Sequence, residues 1–291
     1  MAETKSSLNS RTIRCSAGSN PALHASNASV AQSVEQLTFN QWVESSNLSR
    51  DTIIEVINML IAGPCSLENY EKGLADAIEC KRQNVDYFRA GCFKPRTFPH
   101  SFQGLREEGI DILVKIKKEV GIKVVTEIVD AKYLPLYNEI DMLQIGSRNC
   151  QNFELLKAVA ASGKPILLKR GFGMTIEEFI GAAEYLSQYG AKEVILCERG
   201  IKTFETYTRN TLDLAVVPII HNKTNYKIIV DPSHGTGHSD LVIPLAKAAY
   251  AVGADGVMVE CTQDPSTALS DGEQTITYNQ LNELRKECNL V

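Results

Sequence analysis

Residues 227–235 read Lys227-Ile228-Ile229-Val230-Asp231-Pro232-Ser233-His234-Gly235, a short β-branched run that stops at a carboxylate, a proline, a hydroxyl and an imidazole. Four aliphatic or stem-bearing residues in a row suit a strand buried on both faces, as in a parallel sheet. The polar residues that follow are ones a packed core excludes. The same pattern recurs along the chain. Strands are expected at Ile57–Ala62, Tyr87–Ala90, Lys123–Ile128, Met142–Ile145, Pro165–Lys169, Val194–Cys197, Lys227–Val230 and Gly256–Glu260. Between them lie helical patterns such as Phe153–Ser162, Thr175–Tyr189 and Leu241–Val252, and Thr175-Ile176-Glu177-Glu178 has the form of a helix start. About eight β/α units in roughly 235 residues predict a (β/α)8 TIM barrel of the α/β class. A doubly wound open sheet is the rival, but no GxGxxG follows the first strand.

Composition agrees with an enzyme-sized globular chain: 291 residues, 44% hydrophobic, 22% charged and a formal net charge of -5. An acidic balance gives no nucleic-acid footprint, yet a basic pocket can still sit inside such a protein. The 8 cysteines are scattered singly, which argues for a reducing, cytoplasmic setting and against a disulfide framework. No apolar run approaches the ~18 residues of a membrane span. Residues 1–52 are rich in Ser, Asn and Ala and read as a flexible extension, with residues 53–291 as the catalytic barrel. Lys5, Arg11 and Arg14 among serines mimic a transit peptide, but a tail without function is the preferred reading. Residues 30–43 also resemble a translated tRNA gene, which would make Met59 the native start.

The strand ends carry the chemistry. In a barrel they converge on one mouth, and here they end in Gly63-Pro64-Cys65-Ser66, Arg89 with Lys94-Pro95-Arg96-Thr97, Glu127, Ser147-Arg148-Asn149, Lys169-Arg170, Glu198-Arg199, Asp231 to His234, and Glu260-Cys261. Cations dominate: Arg89, Lys94, Arg96, Arg148, Lys169, Arg170 and Arg199. Each alone reads most simply as a surface ion pair. Together they predict a substrate pair rich in phosphate and carboxylate, which guanidinium groups grip bidentately. A second group, Cys65, His234, Glu260 and Asp271, mixes sulfur, nitrogen and oxygen donors. That mixture suits a borderline divalent metal ion such as Mn, Fe, Co or Zn. Lys94, Lys169, Glu127 and Asp231 are the candidate catalytic residues.

Several motifs together resemble the 3-deoxy-D-arabino-heptulosonate 7-phosphate (DAHP) synthases of the type I β subclass, within the group that includes the 3-deoxy-manno-octulosonate 8-phosphate (KDO8P) synthases. They are Ile61-Ala62-Gly63-Pro64-Cys65-Ser66, Phe93-Lys94-Pro95-Arg96-Thr97, Ser101-Phe102-Gln103-Gly104, Leu143-Gln144-Ile145-Gly146-Ser147-Arg148-Asn149, Leu168-Lys169-Arg170-Gly171, Cys197-Glu198-Arg199-Gly200, Val230-Asp231-Pro232-Ser233-His234-Gly235 and Ala268-Leu269-Ser270-Asp271-Gly272. The resemblance implies that Cys65, His234, Glu260 and Asp271 hold the metal. It implies that Arg89, Lys94, Arg148, Lys169 and Arg199 bind phosphoenolpyruvate, and that Lys94-Pro95-Arg96-Thr97 receives the phosphorylated aldose. Lys-Pro-Arg-Thr rather than Lys-Ala-Asn-Arg points to erythrose 4-phosphate as that aldose. A homo-oligomer, often a tetramer, is also implied, and little feedback by aromatic amino acids is expected.

Two departures from the family pattern stand out. Val-Glu-Val-His after the eighth strand is here Val259-Glu260-Cys261-Thr262, and Gly-Arg-Arg after the seventh is Gly237-His238-Ser239. The alternatives are a KDO8P synthase taking arabinose 5-phosphate, a Schiff-base aldolase acting through Lys169, and a catalytically dead paralogue that binds phosphometabolites. Cys92 and Cys261 are expected to flank the site.

Overall fold

The computed structural model describes residues 59–290. The expectations for residues 1–52, the targeting reading among them, and the first residues of the expected first strand lie outside the described residues.

Eight parallel strands close on themselves: β1 (Met59–Gly63), β2 (Tyr87–Arg89), β3 (Lys123–Glu127), β4 (Met142–Ile145), β5 (Pro165–Lys169), β6 (Glu193–Glu198), β7 (Lys227–Val230) and β8 (Gly256–Glu260). Each pairs with the next in sequence, and β1 pairs with β8 from Met59 opposite Gly256 to Gly63 opposite Glu260. The expected (β/α)8 barrel is therefore the observed one. Helices α1 (Tyr70–Arg82), α2 (Arg106–Val120), α3 (Phe153–Ala160), α4 (Ile176–Gln188), α5 (Val216–Lys223), α6 (Pro232–Thr236), α7 (Val242–Ala251) and α8 (Tyr278–Glu287) follow the strands, and a 3-10 stretch, Ala131–Tyr137, stands between β3 and β4. The helix start expected at Thr175 is there: its hydroxyl accepts from the Glu178 N–H, and the Glu178 side chain returns to the Thr175 N–H. Among the described residues no helix is long and apolar enough to cross a membrane.

Strand period sets what faces inward. The barrel interior is a layer of Ile61, Val125, Met142, Leu167, Ile195, Cys197, Ile229 and Met258. Side chains alternate across a strand. Two residues beyond these inward apolar positions come Glu127, Gln144, Lys169, Arg199, Asp231 and Glu260, and Arg89 stands two beyond Tyr87. Hydrophobic packing in the lower barrel thus fixes the aim of the polar residues at the mouth. The complementary phase, with Leu60, Ala62, Leu143, Leu168 and Val259 among its members, packs against the helices as a separate apolar layer.

Candidate active site

At the mouth, four side chains from three loops converge. Cys65 follows β1, His234 lies on α6 after β7, Glu260 ends β8, and Asp271 sits in the loop beyond in a left-handed conformation with φ 53°. Their donor atoms all lie within 4.8 Å of one another. Sγ of Cys65 stands 2.9 Å from Oδ2 of Asp271, and Nε2 of His234 stands 3.2 Å from Oε1 of Glu260.

Burial and neighbouring charges set the protonation of each member of this group. Burial, reinforced by the Glu260 charge, pushes the Cys65 thiol up to about 12. Burial also pulls His234 down to about 4, against Asp231 and Glu260, so the imidazole is neutral and able to donate a lone pair. Burial works to raise Glu260, but His234, Arg89 and Lys94 hold its carboxyl below the usual range. The orienting contacts are built in. Oδ2 of Asp231 lies 2.7 Å from Nδ1 of His234, Arg89 donates to Glu260 at 2.6 Å, and Gln274 donates to the other Glu260 oxygen at 2.6 Å. One thiol, one imidazole and two carboxylates, with the imidazole fixed by a carboxylate behind it, is a donor set that fits a borderline divalent ion.

Beside this group lies a cavity of about 260 Å³, lined among others by Arg89, Lys94, Pro95, Arg96, Thr97, Arg148, Lys169 and Arg199. All the residues expected to bind substrate are brought together there. Their states differ. Lys169 Nζ donates to Asp231 at 2.6 Å and is engaged by that carboxylate. Lys94 Nζ donates to the Cys65 sulfur at 2.9 Å, and Arg96 reaches Asp271 at 3.4 Å. Arg148 is exposed, with Nη2 3.4 Å from the Thr97 hydroxyl. Arg199 is the exception: it is buried, its Nε and Nη1 have no partner among the described residues, and its guanidinium lies over the Phe172 ring at 4.7 Å. Burial lowers its affinity for its own proton, which is the cost of a cation held ready for an anion.

Glu127 also lines the cavity. Gln144 donates to its Oε2 at 3.2 Å, and burial raises its pKa against the pull of Lys94, Lys169 and Arg89. Its carboxylate lies flat against Gly146, where an added Cβ would collide with Oε1.

Several expectations are corrected here. Arg170 is not part of the cavity. Adjacent residues on a strand face opposite ways, so with Lys169 inward Arg170 points outward, where it pairs with Glu198 at 3.0 Å and Asp213 at 2.8 Å. No ligand role is expected of Thr262, and its hydroxyl donates to buried Asp76 at 2.9 Å. His238 lines an outer cavity and donates from Nε2 to the Tyr207 carbonyl, 3.1 Å away. Cys92 and Cys261 belong to the layer between barrel and helices, not to the mouth.

Four residues of the site were not foreseen: Gln144, Phe172, Arg209 and Gln274. Arg209, in the loop after β6, donates to Asp271 Oδ1 at 3.1 Å and to Gln274 at 2.9 Å. It supplies a cation at the place where the Gly237-His238-Ser239 loop has none of the expected arginines. Gln144 was findable, since it stands two residues after inward Met142.

Comparison with known proteins agrees with this geometry. The sequence profile of the DAHP synthetase I family matches residues 56–290. The chain is 49% identical over 229 residues to the phospho-2-dehydro-3-deoxyheptonate aldolase of Thermotoga maritima, covering 78% of this chain and 68% of that protein. A 2-dehydro-3-deoxyphosphooctonate aldolase of Desulfotalea psychrophila is 31% identical over 245 residues, covering 78% and 86%. The crystal structure of the Thermotoga maritima phospho-2-dehydro-3-deoxyheptonate aldolase (DAHP synthase) superposes with a TM-score of 0.77 at 48% identity, over 80% of this chain and 68% of that one. A truncated form of the Thermotoga maritima synthase gives 0.74 at 44% identity, over 80% and 86%.

Proposed function

The chain belongs to the DAHP synthetase I family, and from that premise we propose that its mouth joins phosphoenolpyruvate to erythrose 4-phosphate, releasing phosphate and DAHP. The observation that carries this reading is the buried, unpartnered Arg199 facing a cavity lined by six further cations and bordered by the Cys65, His234, Glu260 and Asp271 donor group.

Phosphoenolpyruvate carries a phosphate and a carboxylate, and Arg89, Lys94, Arg148, Lys169 and Arg199 are assigned to them. Arg199 gains most, because an anion there replaces an unmet buried charge. Arg96 and Thr97 are assigned to the phosphate of the sugar; Arg96 reaches it by leaving Asp271, its partner at 3.4 Å. A divalent ion held by Cys65, His234, Glu260 and Asp271 would supply Lewis acidity at the aldehyde oxygen. The C3 carbon of the enol attacks the aldehyde carbon, and the new C–C bond leaves positive character at C2. Water adds at C2, one of its protons passes through a base to the alkoxide left on the former aldehyde oxygen, and the other leaves with phosphate as the C2–O bond breaks to give the ketone. Glu127, whose pKa burial raises, is assigned to orient that water and take its proton. Fixed cations hold two polyanions in contact, which is an entropic as well as an electrostatic contribution. A homo-oligomeric, cytoplasmic enzyme is part of the same proposal.

The test is consumption of phosphoenolpyruvate, read from its ultraviolet absorbance, with erythrose 4-phosphate or arabinose 5-phosphate as acceptor. Turnover of the four-carbon sugar at a kcat/KM at least 100-fold above the five-carbon one is expected. Preference for arabinose 5-phosphate would overturn the acceptor assignment.

A further inference from the structure

The Sγ atoms of Cys80 and Cys261 lie 3.9 Å apart, both side chains are fully buried, and neither is in a disulfide. Among the described residues they are the two thiols in mutual contact. Cys80 is on α1, one turn beyond Asp76, and Cys261 follows Glu260 of the proposed ligand group. Strand parity explains the meeting. Glu260 points into the barrel, so Cys261 points out, onto the face of α1 that packs there.

The surroundings tie this pair to the site. Cys261 donates its N–H to the Gly63 carbonyl at 3.0 Å, and Ile276 donates to the Glu260 carbonyl at 2.9 Å. Asp76 accepts from Thr262 at 2.9 Å and from the Tyr278 hydroxyl at 2.6 Å. Helix α1 therefore clasps the two residues after Glu260 at two adjacent points. A cavity of about 20 Å³, room for one water-sized molecule, is lined by Gly73, Asp76 and Thr262, the last two being the helical neighbour of Cys80 and the chain neighbour of Cys261.

We propose that Cys80 and Cys261 form a redox modification site, oxidised to an intramolecular disulfide by a peroxide. The balance is two thiols and one hydrogen peroxide giving one S–S bond and two waters. Each thiol gives up one electron and one proton, and the peroxide O–O bond breaks as it takes up the two electrons and two protons. A disulfide bond is about 2.05 Å long, so the sulfurs must close by roughly 3.9 − 2.05, or about 1.9 Å. Cys261 is one peptide bond from Glu260 and hydrogen-bonded to Gly63, which leads into Cys65. Closure therefore pulls on two of the four proposed ligands. The covalent site stands without the functional reading; only its effect on turnover rests on it.

The experiment exposes the reduced full-length protein to hydrogen peroxide in steps, maps peptides by mass under non-reducing conditions, and measures metal content and turnover in parallel. Cys80→Ser and Cys261→Val accompany it. The expected result is a Cys80–Cys261 linked peptide whose appearance tracks at least a 10-fold loss of bound metal and of turnover. Dithiothreitol reverses both, and Cys261→Val keeps its metal and turnover through the same exposure. Oxidation of other thiols while Cys80 and Cys261 stay reduced would overturn the site. A linked peptide with unchanged metal content, or equal loss of metal in Cys261→Val, would overturn its coupling to Glu260.

Discussion

The carboxylate of Asp231 lies 2.7 Å from Nδ1 of His234, and the imidazole consequently turns Nε2 toward Glu260 and the other proposed ligands. Asp231 also holds Lys169 at 2.6 Å, so one buried carboxylate orients a metal-ligand candidate and a phosphoenolpyruvate-binding candidate together. Burial would raise Asp231, yet His234 and Lys169 hold it well below the ordinary carboxylate range. Asp231→Asn is expected to weaken divalent-ion binding by about 10- to 100-fold, the size usual for a lost partner behind a ligand. Competition with a fluorescent chelator measures this. Unchanged metal affinity with reduced turnover would place the role of Asp231 in Lys169 alone.

Arg199 offers a prediction with two opposite signs. Its Nε and Nη1 are buried without partners among the described residues, and removing an unmet buried polar group relieves a cost of about 1–3 kcal/mol. Arg199→Met should therefore raise the unfolding free energy of the ligand-free protein. The same change should weaken phosphoenolpyruvate binding by about 100-fold, as expected when one partner of a desolvated charge pair is lost. Denaturant titration and calorimetric binding read the two effects separately. A destabilised variant would show that Arg199 is structural.

Gly146 leaves no room for a side chain because the Glu127 carboxylate occupies that space. Gly146→Ala should push Glu127 aside and lower kcat by about 10- to 100-fold, up to the lower end of the roughly 10²–10⁴-fold of a general base, because the carboxylate is displaced rather than removed. In the Glu127→Gln background the same substitution should add little further loss. Additive losses would separate Gly146 from Glu127. Circular dichroism of each variant checks that the barrel is intact.

Asp76 sets a pH dependence of stability. Burial raises it from 3.8 to about 6, against hydrogen bonds from Tyr278 and Thr262. Between those values the native state keeps a proton that the unfolded chain has released, so this group's contribution is lost as pH rises from about 4 through about 6. Asp76→Asn keeps an acceptor oxygen and removes the charge. It should stabilise the protein at pH 7 by on the order of 2 kcal/mol and have a smaller effect at pH 4. Equal effects at both pH values would contradict this origin.

The fold was legible because each strand is a short aliphatic run with a polar terminus, and β1 to β8 stand close to where those runs lie. The site was legible to the extent that it sits on strand ends. Lys169 and Glu260 follow from strand position, and alternation applied with more care excludes Arg170 and includes Gln144. Phe172 and Arg209 had no such signal, because they come from irregular loops whose course is set by tertiary contacts. The Arg209 amide donates to the Thr236 carbonyl at 2.7 Å, and that tie between its loop and the end of α6 brings its guanidinium to Asp271. The environment of Thr262 was equally hidden: its partner Asp76 lies 186 residues away.

The most direct measurement is turnover of phosphoenolpyruvate and erythrose 4-phosphate by protein stripped with a chelator, then titrated with Mn2+. No turnover in the stripped protein, recovery complete at one ion per chain, and no recovery in Cys65→Ala or Asp271→Ala is the predicted result. Full turnover by the metal-free protein would contradict the account, since the Cys65, His234, Glu260 and Asp271 group would then have no part in the condensation.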